Sequence, residues 1–344
     1  MRKRSLDLIR CAMSAGTCSA ILAGCSVNSS PVPQPAAHAG GTRVLGHLDR
    51  AASWMLPEAK KQELLYVSDL EAQEVFIYAY RGKKLVGTLG GFFNPEGLCV
   101  DGKGDVWVTN DTSEGNHQAI EYAHGATTPL QTLNDPDGRV NGCAVNPVTG
   151  DLAVTNFWGP TEGAGGVSIY PHGSGSPASY TDPSIYYYYY CGYDDKGDLF
   201  VDGLSYASET GLAELPAGGS AFVDIALPET IYLPGGVQWD GQYLAVGDQV
   251  AVKHNFQSVI YQFAISGSSG TEAGTTILNG ANEVAQFWLP HVGKGKKSRA
   301  THVIGPNGDG MNTLIWSYPN AGNPVKTYAG EQDPTGATLS IAKR

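Results

Sequence analysis

The segment that decides the fold is PEGLCVDGKGDVWVTND, residues 95–111. It consists of an apolar strand, a tight Asp/Gly turn and a second strand in which apolar and polar residues alternate. Three later segments repeat this pattern: VNGCAVNPVTGDLAVTN (140–156), YCGYDDKGDLFVDG (190–203) and PGGVQWDGQYLAVGDQ (234–249). The residues that open the second strand recur at intervals of 46, 47 and 44 residues, at Asp105, Asp151, Asp198 and Gln242. The chain is therefore built from an internal repeat.

A third strand, with an aromatic residue or leucine before a glycine-bearing turn, recurs six times between Tyr78 and Tyr318. The five steps average 48 residues, and short apolar runs such as LVGTL (85–89) add fourth strands. Four antiparallel strands per repeat of about 40–50 residues are typical of a β-propeller blade. The segment LLYVSD (64–69) lacks a first strand, whereas PTGATLSIA (334–342) is a first strand without a partner. We predict an all-β, six-bladed β-propeller, closed by pairing of the C-terminal strand with the N-terminal blade.

The composition agrees with a protein of short strands and turns. Of 344 residues, 45 are glycine and 20 are proline, and only 16% are charged. The glycines have no three-residue period, which excludes collagen, and the many aromatic residues exclude wholesale disorder. Frequent helix breakers argue against a helical bundle. The net charge of −11 argues against nucleic-acid binding, because phosphate recognition needs clustered basic residues.

The N-terminus has the layout of an export signal. A basic start (Arg2, Lys3, Arg4) precedes a weakly apolar stretch of 14 residues, Cys11 to Gly24, which is too short to span a bilayer. The stretch ends in Leu22-Ala23-Gly24-Cys25, which resembles the box at which bacterial lipoproteins are cleaved and acylated. We therefore predict a signal peptide (1–24), lipidation at Cys25 and anchoring to a bacterial membrane of the cell envelope, with Ser26 compatible with the outer membrane.

The same layout predicts three regions: the signal peptide 1–24, a lipidated cysteine with a flexible tether over 25–60, and the propeller over 61–344. A short helical turn is predicted near Ala51–Leu56. Cleavage removes four basic residues and Asp7, which leaves 18 basic and 32 acidic residues, or −14. From this balance we expect the lipid, and not attraction to anionic headgroups, to hold the protein at the membrane.

Three cysteines remain after processing: Cys99, Cys143 and Cys191. Each lies in an apolar strand. Buried free thiols are the first expectation, and one disulfide with a leftover thiol is the alternative.

The repeats resemble the six-bladed propellers of the NHL-repeat and senescence-marker/gluconolactonase families, whose blades follow the pattern P-x-G-x-x-x-D-x-x-G-x-L-x-V-x-D. The resemblance covers residues 61–344 and is weakest in the fifth unit, at ANEVAQFWLP (281–290) and THVIGPN (301–307). It implies a divalent cation, such as calcium, held by Glu, Asn and Asp near the channel, and a lactonase-type activity. Glu96 and Asn141 match the ligand positions in kind, whereas Tyr189 and Gly235 do not.

One mouth of the channel is the candidate binding site. The residues before the first-strand glycine and those that end the second strand share this mouth, because the two strands run antiparallel. They form a rim rich in carboxylates and amides, with no lysine or arginine among them: Glu96, Asn141, Tyr189, Gly235, Thr335, Asp69, Asn110, Asp111, Asn156, Asp202 and Asp248. The alternative is that the Asp and Asn side chains only satisfy turn amides. The tyrosine run 186–190 enters one inner strand, where some rings pack in the core and others edge the channel.

These observations favour a lipid-anchored binding module of the cell envelope whose mouth meets a small polar ligand, a glycan or a protein partner. The alternative is a metal-dependent lactonase or lyase, with a cation at Glu96 and Asn141. A purely structural role is a third hypothesis. No catalytic residue is assigned, because the sequence has no G-x-S-x-G, H-E-x-x-H or P-loop motif.

Overall fold

Each sequence repeat folds into one antiparallel sheet whose strands follow one another along the chain. The computed structural model describes residues 52–112, 115–292, 299–320 and 322–342. The predicted signal peptide, Cys25 and most of the predicted tether therefore lie outside the described residues. None of the helices in the described ranges is long and apolar enough to cross a membrane.

The six sheets are numbered here as blades 1 to 6. Blade 1 contains β1 (Trp54–Met55), β2 (Leu64–Asp69), β3 (Glu74–Ala79) and β4 (Leu85–Leu89); blade 2 contains β5 (Asn94–Val100), β6 (Val106–Asp111), β7 (His117–Tyr122) and β8 (Pro129–Asp135); blade 3 contains β9 (Val140–Val145), β10 (Leu152–Trp158), β11 (Ala164–Tyr170) and β12 (Ala178–Tyr180).

Blade 4 contains β13 (Tyr187–Tyr193), β14 (Leu199–Leu204), β15 (Thr210–Leu215) and β16 (Val223–Asp224); blade 5 contains β17 (Pro234–Trp239), β18 (Leu244–Ala251), β19 (Gln257–Ser266) and β20 (Ser269–Ile277). A small hairpin, β21 (His291–Val292) and β22 (Arg299–Ala300), precedes blade 6, which contains β23 (His302–Asn307), β24 (Asn312–Ser317) and β25 (Lys326–Ala329). The last strand is β26 (Pro334–Ser340). Short 3₁₀ helices lie at Pro57–Lys61, Pro160–Glu162, Pro171–Gly173 and Val252–His254.

The predicted closure is confirmed. Strand β26 pairs antiparallel with β2, from Leu64 opposite Ser340 to Asp69 opposite Pro334, and becomes the inner strand of blade 1. In blade 6 residues 284–288 take the inner position, through bridges between Val284 and Asn307 and between Trp288 and Ile304. The weakest sequence repeat thus still forms a blade.

Apolar side chains pack between the blades. The described residues form six buried clusters, and each cluster joins two neighbouring sheets. The cluster between blades 6 and 1, for example, contains Val67 and Tyr78 from one sheet and Ile315 and Tyr328 from the other. Full burial of such side chains contributes about 1.5–3 kcal/mol each, so contact between faces of neighbouring sheets holds the ring together.

Glycine lets the inner strands approach closely around the channel. A Cβ atom on Gly97 would lie 2.5 Å from the carbonyl oxygen of Asn141, and one on Gly336 would lie 2.5 Å from that of Glu96. Only a residue without a side chain fits such a contact. This close approach explains why the first strand of the repeat contains a glycine, such as Gly97 or Gly336.

Two expectations from the sequence are corrected. The turn predicted near Ala51–Leu56 is a short strand, β1, which pairs with β4, and the 3₁₀ helix follows it, so structure on blade 1 begins before residue 61. Cys99 and Cys143 form a disulfide, and only Cys191 is a buried free thiol. The expectation of three free thiols was therefore wrong, and the alternative of one disulfide with a leftover thiol is confirmed.

Candidate functional site

The inner strands define two faces of the propeller. The top face is the side on which inner strands begin, at Glu96, Asn141 and Tyr189, and the bottom face is the side on which they end, at Val100, Val145 and Tyr193. The predicted mouth corresponds to the top face. The structure places Glu96, Asn141 and Tyr189 at the starts of three consecutive inner strands, β5, β9 and β13.

The central feature of the top face between blades 2 and 3 is a guanidinium held by two carboxylates. Arg139 lies in the loop before β9; its Nη2 is 3.2 Å from Glu96 Oε1 and its Nε is 2.8 Å from Asp111 Oδ2. His117 Nδ1 lies 2.7 Å from Asp111 Oδ1. The rim predicted from the sequence contains no basic residue. That prediction missed Arg139, the cation that pairs with two rim carboxylates.

Burial sets the protonation of this cluster. The side chains of Glu96 and Asp111 are 13% and 8% exposed. Loss of solvent raises the pKa of both carboxyls, and Arg139 opposes that rise by stabilising their charged forms. Repulsion from the negative charges of Asp111 and Asp333 raises the pKa of Glu96 further. Arg139 therefore offsets part of the effect of burial on both carboxyls, and His117 does the same for Asp111.

Asn141 and Tyr189 meet through the backbone. Asn141 Nδ2 donates a hydrogen bond to the Tyr189 carbonyl oxygen over 2.6 Å, and Thr155 Oγ1 donates to the same oxygen over 2.7 Å. The Asn141 side chain therefore ties the inner strand of blade 3 to that of blade 4.

Side-chain hydroxyls repeat this link around half of the ring. Ser68 donates to the Glu96 carbonyl and Thr109 to the Asn141 carbonyl, as Thr155 does to Tyr189. Asp202 occupies the corresponding position in blade 4, where its Oδ1 accepts the amide of Tyr190. Its Oδ2 is buried without a hydrogen-bond partner in the described chain, and burial raises its pKa well above the usual range. Asp202 is therefore a buried carboxylate with one oxygen bonded to the backbone of its own blade.

The remaining rim residues mainly hold loops. Asn110 Oδ1 accepts the amides of Phe93 and Asn94, and Asp248 accepts those of Tyr232, Leu233 and Val250. Asn156 is fully buried and contacts Gly138 and Ser168. These contacts match the alternative in which Asn and Asp satisfy turn amides at strand ends.

An aromatic surface extends from Arg139 across blades 3 and 4. The guanidinium carbon lies 5.9 Å from the centre of the Phe157 ring and 5.5 Å from that of Trp158. Phe157 also lies 5.2 Å from Tyr187 and 5.0 Å from Tyr189. Tyr187 contacts Tyr186, which contacts Tyr206 at 5.1 Å. We call Phe157, Trp158, Tyr186, Tyr187, Tyr189 and Tyr206 the aromatic surface.

The tyrosine run divides between this surface and the core. Tyr188 and Tyr190 are buried, whereas Tyr186, Tyr187 and Tyr189 are half-buried. Tyr206, in the β14–β15 turn, is 73% exposed. The sequence signalled the run, but it did not show that Phe157, Trp158 and Tyr206 come from other strands to extend it.

The donor set does not fit the calcium site that the family resemblance implies. The cation that faces Glu96 is Arg139, and the Asn141 amide nitrogen is bonded to a carbonyl. Among the described residues, the group of three carboxylates close enough to share an ion is Asp101, Asp105 and Glu121, and it contains neither residue. The calcium site at Glu96 and Asn141 stays a prediction.

The bottom face contains a cavity that the sequence did not reveal. Its volume is about 330 Å³, and it lies among the ends of the inner strands and the β21–β22 hairpin. Its wall includes the Cys99–Cys143 disulfide, Trp239 and Trp288, and its charged members are Arg299, Asp194 and Asp195. Three of its residues come from equivalent parts of blades 2 to 4, namely Cys99, Cys143 and Cys191.

Comparison with known proteins supports the fold only. No protein-family model matches the sequence, and no curated protein matches it. A chain in the crystal structure of a nidogen/laminin complex is similar, with a TM-score of 0.60 and 10% identity, over 82% of this chain and 100% of that chain. In all, 1004 chains of solved structures match, so the fold is too widespread to indicate one activity.

Proposed function

We propose that this protein is a lipid-anchored binding module of the cell envelope, which binds a protein partner through the aromatic surface of its top face. The observation that carries the proposal is the continuous row of rings from Arg139 to Tyr206. Tryptophan, tyrosine and arginine are the residues most enriched at the energetic centres of protein interfaces. The similar propeller in a nidogen/laminin complex supports a protein partner by analogy.

The open shape of the surface favours a protein over an enclosed small ligand. Tyr206 and Trp158 lie in or next to the connections β14–β15 and β10–β11, on the rim of the propeller and not inside the channel. A small polar ligand or a glycan at the channel mouth remains the prediction from the sequence. The lactonase alternative has no support from this geometry, because Arg139 pairs with Glu96 and the Asn141 amide donates to the Tyr189 carbonyl.

Site-specific photo-crosslinking on intact cells tests the binding surface. A photoreactive residue at Tyr206 should give a discrete crosslinked protein, whereas one at Val148, 63% exposed on the bottom face, should not. Tyr186→Ala should lower the yield from position 206, because Tyr186 supports that ring. Equal yields from both positions, or no product from position 206, would contradict the proposal.

The anchor needs a separate test. Cys25→Ser should move the protein from the membrane fraction to the soluble fraction when membranes are washed at about 0.5 M salt, where surface charge contributes little. Retention of the variant in washed membranes would show that lipid on Cys25 is not the attachment.

A further inference from the structure

Charge is distributed unequally between the two faces. Among the described residues, the connections on the top face carry ten carboxylates and two cations, Arg139 and Lys253. The connections on the bottom face carry nine carboxylates and eight cations. The negative charge of these connections is therefore concentrated on the top face, whereas the charges of the bottom face nearly cancel.

The basic residues of the bottom face are concentrated on blades 1 and 6. The β3–β4 turn of blade 1 presents Arg81, Lys83 and Lys84, all exposed. Hydrogen bonds between Ala79 and the backbone of Lys83 and Lys84, each 2.8 Å, fix this turn. Arg81 forms a two-pronged pair with Glu63, whereas neither Lys83 nor Lys84 forms an ion pair with any residue in the described ranges.

Lys326, at the start of β25 in blade 6, brings a fourth cation to this turn. Its Nζ donates to the Tyr80 carbonyl over 2.8 Å and lies 4.8 Å from the centre of the Tyr80 ring. Burial lowers its pKa, and repulsion from Lys83 and Arg81 lowers it further. Four cations thus lie close together, and Glu63 pairs with one of them, Arg81. An anionic partner would reduce the repulsion among these cations.

Apolar side chains flank these cations. Leu85, next to Lys84, is 36% exposed, and Val325, next to Lys326, is 59% exposed. We call Arg81, Lys83, Lys84, Lys326, Leu85 and Val325 the basic edge. Cations beside exposed aliphatic groups are typical of surfaces that rest in the headgroup region of a bilayer.

We propose that the basic edge docks on an anionic membrane surface, so that blades 1 and 6 face the bilayer and the aromatic surface is presented away from it. The connectivity of the chain favours a bilayer over other polyanions as the partner. The segment that leads to the predicted lipid at Cys25 joins the propeller at β1, in blade 1. This contact goes beyond the acyl anchor and does not require it.

The overall negative charge does not prevent this contact. At physiological salt the Debye length is about 8 Å, and a strand of five residues already spans about 17 Å. Carboxylates of the top face are therefore screened from a surface that touches the bottom face. From the net charge alone, no attraction to anionic headgroups was expected. That expectation holds only if the charge is evenly distributed over the surface, and here it is not.

Vesicle sedimentation tests the proposal. A chain of residues 25–344 with Cys25→Ser, which lacks the basic segment before residue 25 and cannot be acylated, should sediment with vesicles of phosphatidylglycerol and phosphatidylcholine at low salt. It should bind pure phosphatidylcholine vesicles at least about tenfold less, and about 0.5 M salt should release it. Because acylation is absent, this result is independent of whether Cys25 is lipidated in cells.

Matched charge reversals locate the contact. Lys83→Glu with Lys84→Glu should reduce binding to the anionic vesicles at least about tenfold. Lys103→Glu with Lys196→Glu makes the same charge change on the bottom face of blades 2 and 4, and should have little effect. Equal loss in both double variants, equal binding to both kinds of vesicle, or binding to soluble polyphosphate without binding to vesicles would overturn the proposal.

Discussion

Neighbouring blades of this propeller are joined by different kinds of interaction at the top face and at the bottom face. On the top face, buried polar groups join neighbouring inner strands: Arg139 between Glu96 and Asp111, and Asn141 on the Tyr189 carbonyl. On the bottom face, a covalent bond joins Cys99 to Cys143 next to a cavity walled by tryptophans. One blade interface, between blades 2 and 3, is therefore fastened at both ends by unrelated means.

The bottom fastening should make the larger contribution to stability. Cys99→Ala with Cys143→Ala opens a link across 44 residues, and the chain-entropy account gives a loss of about 4 kcal/mol in the free energy of unfolding. Urea unfolding with and without reductant measures it. Cys191→Ala is the control and should stay sensitive to reductant. If wild type unfolds at the same urea concentration after verified reduction, the disulfide is not a significant fastening.

Loss of the top fastening should cost somewhat less and should depend on pH. Arg139→Met removes the guanidinium that pairs with two buried carboxylates, and we expect a loss of about 3 kcal/mol in the free energy of unfolding at pH 7. The pKa values of Glu96 and Asp111 are raised in the folded chain, so the folded state binds protons more tightly than the unfolded state. Without Arg139, which opposes this rise, the pKa values of both carboxyls should rise further, so protonation restores more stability to the variant than to wild type. The deficit should therefore shrink as pH falls from 7 towards 5.

Urea unfolding at the two pH values provides the measurement. Adding Glu96→Gln and Asp111→Asn to Arg139→Met should restore part of the stability at pH 7, since the unpaired charges are then removed. A deficit that is the same at both pH values would show that Arg139 acts by packing on Phe157 and Trp158 and not by charge.

The smallest expected effect lies inside the channel, between the two fastenings. Thr109 Oγ1 accepts the Gly97 amide and donates to the Asn141 carbonyl. Thr109→Val leaves the Gly97 amide and the Asn141 carbonyl buried without the hydroxyl that bonds them. We expect a loss of about 1–2 kcal/mol in the free energy of unfolding. Thr132→Val, on exposed β8, should change stability by less than about 0.5 kcal/mol. Thermal unfolding of the two variants side by side decides whether the hydroxyl links matter.

The fold could be predicted because its signals are local and repeated. The glycines, the tight turns and the alternation of each unit are visible in the sequence, and the incomplete first and last units predicted the pairing of β2 with β26. The loop-holding roles of Asn110 and Asp248 were also open to prediction, because Asn and Asp prefer such positions for a physical reason.

The site was less accessible to sequence reasoning because it depends on contacts between blades. Arg139 lies in a loop outside the strand-end positions that defined the rim, so its pairing with Glu96, 43 residues away, had no local signal. Cys99 lies two residues after its repeat glycine and Cys143 one residue after its own. Regular alternation would point them to opposite sides, and irregular register beside the glycines removes that rule.

The closure of blade 1 has a consequence for the order of folding. Blades 2 to 5 are each made of strands adjacent in sequence, so their hairpins can form from local contacts soon after those residues are available. Strand β2 must wait for β26, about 270 residues later, and loop closure over such a distance is slow and entropically costly. Until then, one edge of β2 has no strand beside it and can pair with a second chain. Pairing of the last strand thus decides when this edge of the folding chain is protected from aggregation.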